Sequence, residues 1–375
     1  MSRLNQWIFP ALLCCFLFNS AMVSGQPKKN VPNVKDPRLN QKVMVIMAGA
    51  ELKTPTATVW KGYVGEVFTV SLTNGEWLWI AEKGGWLWEK DVIPFNESIG
   101  LLTERVTREK NGENYHLRGV AYLAHGQFDS AIADFTESLR LKPKNAGALN
   151  NRGQASYSKG DFKSAVADFT AAIAIEAKNP LILNNRALAY IELDDSTNAM
   201  TDLQAALTLV PDYAEALNNR GVVHQKIEKV DEAIADFSKA LEVDPRYTDA
   251  LENRAFAYLE KDDQARAIAD LEAAMLLNPK SYEAANDLAW LLATSSDAKV
   301  RDPRRALMLS KEACKLSKYQ EWNALDTLAV VHAENGEFAE AKKWLEEALK
   351  LAPADEKTRI QKHLDLAIAQ KPVQD

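Results

Sequence analysis

The chain has 375 residues, with 45 lysines and arginines against 52 aspartates and glutamates for a formal net charge of -7, and three cysteines. A charge balance of that sign argues against nucleic acid as a partner, because a phosphate backbone is bound through clustered cations. Cys14 and Cys15 fall in an N-terminal leader, so with that leader removed Cys314 stands alone, no disulfide can close within the chain, and packing must hold the core.

In chain order, residues 1–25 carry one charge, Arg3, an apolar run from Trp7 to Phe18 and a polar end at Val23-Ser24-Gly25. The pattern predicts a secretory signal peptide cut before Gln26, hence a periplasmic or secreted protein with no stable membrane insertion after cleavage. The alternative is an uncleaved anchor, but the run is short of the roughly 20 apolar residues a spanning helix needs and is interrupted by Pro10. Residues 26–37 hold three prolines and no apolar period, as expected of a flexible linker.

From 38 to 96 alternation replaces any helical period, with Val43, Val45, Val64, Val67, Val70 and Ile80 and tryptophans at 60, 77, 79, 86 and 88. Asn74-Gly75 separates the run Phe68 to Leu72 from Trp77 to Ile80, and Gly84-Gly85 separates the latter from Trp86-Leu87-Trp88; both dipeptides read as hairpin turns. About five short strands with a Gly85-Trp86 pair resemble a small bacterial SH3-like barrel. Alternation sets Trp77 and Trp79 opposite Leu78 and Ile80, and Trp86 and Trp88 opposite Leu87. Leucines and valines then fill the core. The four tryptophans either pack against the helices that follow or form an exposed aromatic surface for peptide or cell-wall glycan.

Asn96-Glu97-Ser98 opens a helical pattern over 97–111, with Ile99, Leu101, Leu102 and Val106, expected to cap the helices behind it. Beyond it Leu-Asn-Asn-Arg stands at 149–152, 183–186 and 217–220, always 34 residues apart. Sixteen residues after each arginine comes an aspartate, pairing Arg152 with Asp168, Arg186 with Asp202 and Arg220 with Asp236, and outward Arg118 with Asp134 and Arg254 with Asp270. Five units in register follow, 112–145, 146–179, 180–213, 214–247 and 248–281. Each holds two helically spaced apolar blocks around a break such as Gly160-Asp161, which predicts helix, tight turn, helix. Gly119, Tyr122, Gly126, Ala131, Phe135 and Pro143, and again Gly221, Ala233, Phe237, Ala240 and Pro245, stand where the tetratricopeptide repeat keeps its small and aromatic residues. The region resembles that family.

A sixth unit, 282–320, is irregular: Ser295 to Pro303 replaces the tight turn. A seventh, 322–353, returns to the family spacing, and 354–370 is expected to be a C-terminal capping helix with Ile360, Leu364 and Ile368 on one stripe. In units six and seven the arginine and aspartate are replaced together, by Leu288 with Leu309 and by Leu328 with Trp344, as expected if the two side chains touch. The fold class expected is mainly α, a right-handed solenoid of helical hairpins preceded by a small all-β SH3-like barrel.

Phosphate loops, nucleophile elbows, His-Glu-x-x-His and paired-cysteine metal spacings are absent from the sequence, so neither an enzyme nor a cofactor is expected. The resemblance implies instead a concave groove lined by first helices. Asn150, Asn184, Asn218 and Asn286 are expected on its ligand-facing row as hydrogen-bonding amides, beside an apolar row that includes Leu188, Val222, Phe256 and Trp290. Where a carboxylate-binding groove would carry Lys or Arg, this one has Asn, Glu252 and Asp326, so the expected ligand is an uncharged or basic extended segment of a protein partner. The function read from the sequence is an exported scaffold, the alternative an accessory subunit that docks a cell-envelope enzyme or binds a cell-wall component through the SH3-like module.

Overall fold

A computed structural model describes residues 36–47, 49–54, 57–61 and 64–373. The predicted signal peptide and all of the predicted linker before Asp36 lie outside the described residues. Two compact units, up to Ala155 and from Ser156 onward, are taken in turn.

The first unit begins with β1 (Lys42–Val45), β2 (Glu51–Lys53), β3 (Thr58–Lys61), β4 (Val67–Thr69), β5 (Leu72–Asn74), β6 (Trp77–Ile80), β7 (Gly85–Trp88) and β8 (Val92–Pro94). They form two antiparallel sheets, β4-β1-β8 and β3-β2-β7-β6-β5. Eight strands among the described residues stand where about five were expected, and one of the additional strands arises because the run Phe68 to Leu72 does not stay in one sheet. β4 pairs with β1 and β5 with β6. The corner between them is pinned at Val70, whose amide donates to the Gln41 carbonyl at 3.0 Å and whose carbonyl accepts from Asn40 at 2.8 Å. β7 starts on a glycine because a Cβ at Gly85 would stand 2.8 Å from Val59 Cγ2 and 3.0 Å from Leu52 Cβ.

Val43, Val45, Leu52, Phe68, Val70, Leu78, Ile80 and Leu87 fill the core, with Trp60 edge-on to Phe68 at 5.1 Å. A second apolar cluster, Met44, Ile93, Leu102, Leu117 and Ala121, joins the sheets to α1 (Ser98–Arg108) and α2 (Gly112–Ala124), and α2 folds back on α3 (Phe128–Leu141). Burial of this cluster seats the β module on the first helices.

Helical hairpins continue with α4 (Ala146–Ser158) and, in the second unit, α5 (Phe162–Ile175), α6 (Pro180–Glu192), α7 (Ser196–Leu209), α8 (Ala214–Lys226), α9 (Val230–Val243), α10 (Thr248–Glu260) and α11 (Gln264–Leu277). The turn within each hairpin reverses the chain through one left-handed residue: Gly126, Gly160, Asp194, Glu228 and Asp262 in succession, with φ between 57° and 80°. Asp161, Asp195 and Asp263 then cap the second helix, each accepting from the amide three residues on. Small residues let the two helices close together. A Cβ at Gly221 on α8 would stand 2.5 Å from the Phe237 ring on α9.

The irregular unit is α12 (Glu283–Thr294) and α13 (Pro303–Leu316), and its long connection is held down by Ser295 Oγ donating to Gln264 Oε1 at 2.6 Å. Leu288 and Leu309 are buried in one cluster. The last hairpin is α14 (Trp322–Glu334) with α15 (Phe338–Leu351), closed by α16 (Lys357–Ile368). On α16 the expected stripe is corrected: Ile360 and Leu364 are buried, but Ile368 is 58% exposed and Ala367 and His363 face inward instead. The buried face runs through Ile360, His363, Leu364 and Ala367, and Ile368 lies about 100° beyond Ala367, off its edge. His363 Nδ1 lies 2.8 Å from Asp326 Oδ1, and Arg359 Nη1 donates to Asp326 Oδ2 at 3.1 Å, so a charge clamp fastens α16 to α14.

In the second unit each second helix packs on the first helix of the next hairpin. First helices also meet directly, α6 with α8, α8 with α10 and α12 with α14, while α10 and α12 make the loosest of these approaches.

Candidate functional site

The face of the first helices is set by a polar seam. Arg186 donates through Nε and Nη2 to both oxygens of Asp202 at 2.7 Å; Arg220 holds Asp236 at 2.7 and 2.6 Å and Arg254 holds Asp270 at 2.8 Å in the same bidentate way. Arg118 does so with Asp134 in the first unit. The remaining nitrogen reaches back to the preceding second helix: Arg186 to Thr170, Arg220 to Gln204 and Arg254 to Ser238, at 3.0, 3.1 and 3.0 Å. Arg186, Arg220 and Arg254 therefore each tie three helices, and the carboxylates raise the guanidinium pKa of Arg118, Arg186, Arg220 and Arg254 above its ordinary value.

Beside the seam runs a ladder of amides. Asn150, Asn184, Asn218 and Asn286, expected on the ligand-facing row, are all buried, at 4–6% exposure. Asn184 accepts from Asn219 Nδ2 and Asn218 from Asn253 Nδ2, both at 2.9 Å, so each rung joins neighbouring first helices. Asn184 and Asn218 thus hold neighbouring hairpins together, whereas Asn286 Nδ2 donates to Asp287 beside it on α12 at 3.3 Å.

The apolar row is divided. Phe256 is 43% exposed, Leu188 and Val222 are half-buried, and all three recur at the same place on α10, α6 and α8. Trp290 is turned away from them: it packs against the cluster around Leu325 and Leu328, 5.9 Å from the His363 ring. No ring contact joins it to Phe256 among the described residues.

Two carboxylates also lie on this face. Glu252 is pushed up to about 7 by burial and by Asp287, Asp249 and Glu283, and Asp287 is pushed up to about 6 by burial and Glu283. Asp326, the other acid anticipated here, is buried and engaged by Arg359 and His363. Asp287 was missed. Its signal was available, since it follows Glu252 by the same interval that separates Asn219 from Asn184.

Sequence profiles of the tetratricopeptide repeat match residues 116–180, 181–213, 214–247, 248–281 and 322–355, together more than half of the chain. The chain belongs to the tetratricopeptide repeat family. No curated protein matches it. Among solved structures, a tetratricopeptide repeat protein from Parabacteroides merdae is 22% identical with a TM-score of 0.52, covering 72% of this chain and 99% of its own. Yeast Tom70 is 18% identical with a TM-score of 0.56, covering 74% of this chain. A chain of the APC/C hetero-tetramer Cut9-Hcn1 is 20% identical with a TM-score of 0.55, covering 62% of this chain. This protein spans 59% of the Tom70 chain and 45% of the Cut9-Hcn1 chain, and at these identities the likeness is one of fold.

Outside the tetratricopeptide repeats, the outer face of the β6-β7 hairpin carries two aromatic pairs. Trp77 stacks on Trp88 with centroids 6.4 Å apart, and Trp79 lies tilted on Trp86 at 5.3 Å. The cluster that seats the β module on the helices contains none of the four. Lys90 Nζ sits 4.8 Å above Trp88, the most exposed of them. Within repeats six and seven a cleft of about 910 Å³ opens between Met308, Tyr319, His332, Phe338 and Trp344. Among the described residues no cluster of His, Cys, Asp and Glu could hold a metal ion, and no helix is long and apolar enough to cross a membrane.

Proposed function

We propose that this protein is an exported, non-enzymatic scaffold whose first-helix face holds extended, uncharged or basic segments of protein partners. The fold itself implies a protein-interaction scaffold. The observation that carries the finer reading is the row Leu188, Val222 and Phe256, which leaves apolar side chains accessible at one position of three successive hairpins. An extended peptide laid across the helices meets one such side chain per repeat. The carboxylates of Glu252 and Asp287 on the same face favour a basic segment and repel an acidic one.

Export rests on residues 1–25, and placing the protein in the periplasm or outside the cell follows from it. Mass spectrometry of the protein from its own cell should find an N-terminus near Gln26; an intact Met1 would remove export from the proposal. For the face itself, Val222→Ala with Phe256→Ala should leave the melting temperature nearly unchanged while affinity for partner segments falls at least tenfold. Unaltered binding in that variant would move the site elsewhere.

A further inference from the structure

The polar seam of the repeats is rebuilt at the last hairpin, and a cleft opens where it would have run. Leu328 stands in the place of the seam arginine, Trp344 in that of the aspartate, and His332 in that of Tyr190 and Tyr258. Lys311 on α13 takes the position from which Thr170, Gln204 and Ser238 accept a hydrogen bond from the arginine. All four replacements border the cleft of about 910 Å³ in repeats six and seven. Leucine ends short of the space a guanidinium fills, and a lysine has no acceptor to offer one. In the fifth repeat a single guanidinium touches both neighbouring positions, since Arg254 donates to Ser238 at 3.0 Å and lies 5.7 Å from the Tyr258 ring. The equivalent positions, Lys311 and His332, are thus within reach of one small planar group.

Two polar groups at the cleft are unused. His332 is 5% exposed, and its Nδ1 lies 2.5 Å from Glu337 Oε2, so the ring proton sits at Nδ1. Its Nε2 makes no hydrogen bond among the described residues yet is not sealed from solvent, and the cleft is what this residue borders. Every carboxylate at the cleft already has a partner: Glu337 has His332, Glu340 has Lys343 at 3.3 Å and Glu312 has Lys315 at 3.6 Å. Lys311 has no ion-pair partner among the described residues. The apolar wall is open as well. Met308 stands where the earlier repeats carry Ala167, Thr201, Ala235 and Ala269, and it is 62% exposed. Tyr319 and Lys318 both hold left-handed φ, 57° and 54°, which residues other than glycine rarely adopt, and the Tyr319 ring stacks on Trp344 at 5.5 Å.

We propose that this cleft binds a small carboxylic acid with a flat apolar body, its carboxyl group taken by Lys311 and His332 and its body by Met308, Tyr319 and Phe338. One ammonium and one imidazole nitrogen without an acid to meet them match one carboxyl group. Glu337 keeps Nδ1 protonated, so Nε2 either accepts the proton of the ligand's carboxyl or, having taken it up, donates to the carboxylate. The volume suits a small molecule lying on apolar walls with a few polar groups to orient it. The site is separate from the first-helix face and does not depend on it.

The test titrates the full chain with 2-naphthoate by calorimetry, with 2-naphthamide and 2-naphthylmethylammonium as matched neutral and cationic probes. The acid should bind at least tenfold more tightly than either. Lys311→Met removes an exposed, unpaired charge, so it should fold as wild type does and bring the acid down to the affinity of the amide. Met308→Ala should weaken acid and amide by the same factor. In the unaltered protein the nitrogen-15 signal of His332 Nε2 should move with 2-naphthoate and stay in place with the amide, which makes the histidine's part readable without a substitution in the core. Equal affinity for acid and amide, tighter binding of the ammonium, an advantage of the acid that survives Lys311→Met, or no binding of any probe overturns the proposal. Capture of a peptide ending in phenylalanine without capture of 2-naphthoate would assign the cleft to chain termini and overturn the small-molecule reading.

Discussion

Replacing Arg220 by leucine removes two charge-assisted bonds to Asp236, at 2.7 and 2.6 Å, and a third to Gln204 on the preceding second helix. The Asp236 side chain is 9% exposed, so the carboxylate left behind is stranded in a desolvated seam, with only His224 at 3.6 Å as a neighbouring cation when protonated. Removing one partner of a fully buried pair costs about 3–5 kcal/mol; the Arg220 side chain keeps some contact with water, so about 2–3 kcal/mol is expected here. Asp236→Leu should cost less, about 1–2 kcal/mol, because the guanidinium retains Gln204 and solvent. The double leucine variant reproduces Leu288 with Leu309, which are both buried in the sixth repeat, and should recover about 1.5–2 kcal/mol of the summed losses. Urea midpoints read the cycle, with hydrogen exchange of α8 and α9 amides as a local check, because repeats can unfold in parts. Strictly additive losses would refute the idea that the pair acts as a unit.

Three other outcomes follow from the same geometry. Glu228 holds a φ of 61° where the equivalent turns at 126 and 160 have glycine, so Glu228→Gly should stabilise by about 0.5–1 kcal/mol, and an unchanged or lower midpoint would contradict the strain argument. Glu252 and Asp287 have folded pKa values raised to about 7 and about 6, so their stabilising contribution is complete below their ordinary values near 4 and is lost as pH rises through 6 and 7. Glu252→Asn with Asp287→Asn should flatten that decline and gain about 1–2 kcal/mol at pH 8, a figure reduced because water reaches the half-buried pair; identical pH profiles would count against it. Trp290→Ala should melt early, by about 3 kcal/mol, because the ring packs against the C-terminal cluster, whereas Phe256→Ala should stay within about 0.5 kcal/mol of wild type by thermal unfolding.

The hairpin period and the pairing of Arg220 with Asp236 were legible because every repeat obeys the same two-helix geometry, so a residue and its partner recur together. The asparagine row was harder. Adjacent positions on a helix differ by about 100°, and only the approach of the neighbouring first helix decides that Asn184 and Asn218 face a seam rather than a ligand. Trp290 is claimed by α16, which arrives far along the chain, so nothing local marks its direction. The sheet change at Val70 leaves alternation undisturbed on either side, which is why one run of residues read as one strand. Asp194, Glu228 and Asp262 adopt the left-handed turn without the glycine that advertises it at Gly160.

The central claim is that partner segments lie across the first helices. A photo-crosslinking amino acid placed in turn at Leu188, Val222 and Phe256, and for comparison at the exposed second-helix positions Leu276 and Met308 and at Trp88 of the β module, tests it in the cell that makes the protein. Adducts from Val222 and Phe256 that map by mass spectrometry to one continuous partner segment are the predicted result. Adducts from Leu276, Met308 or Trp88 with none from the first helices would contradict it.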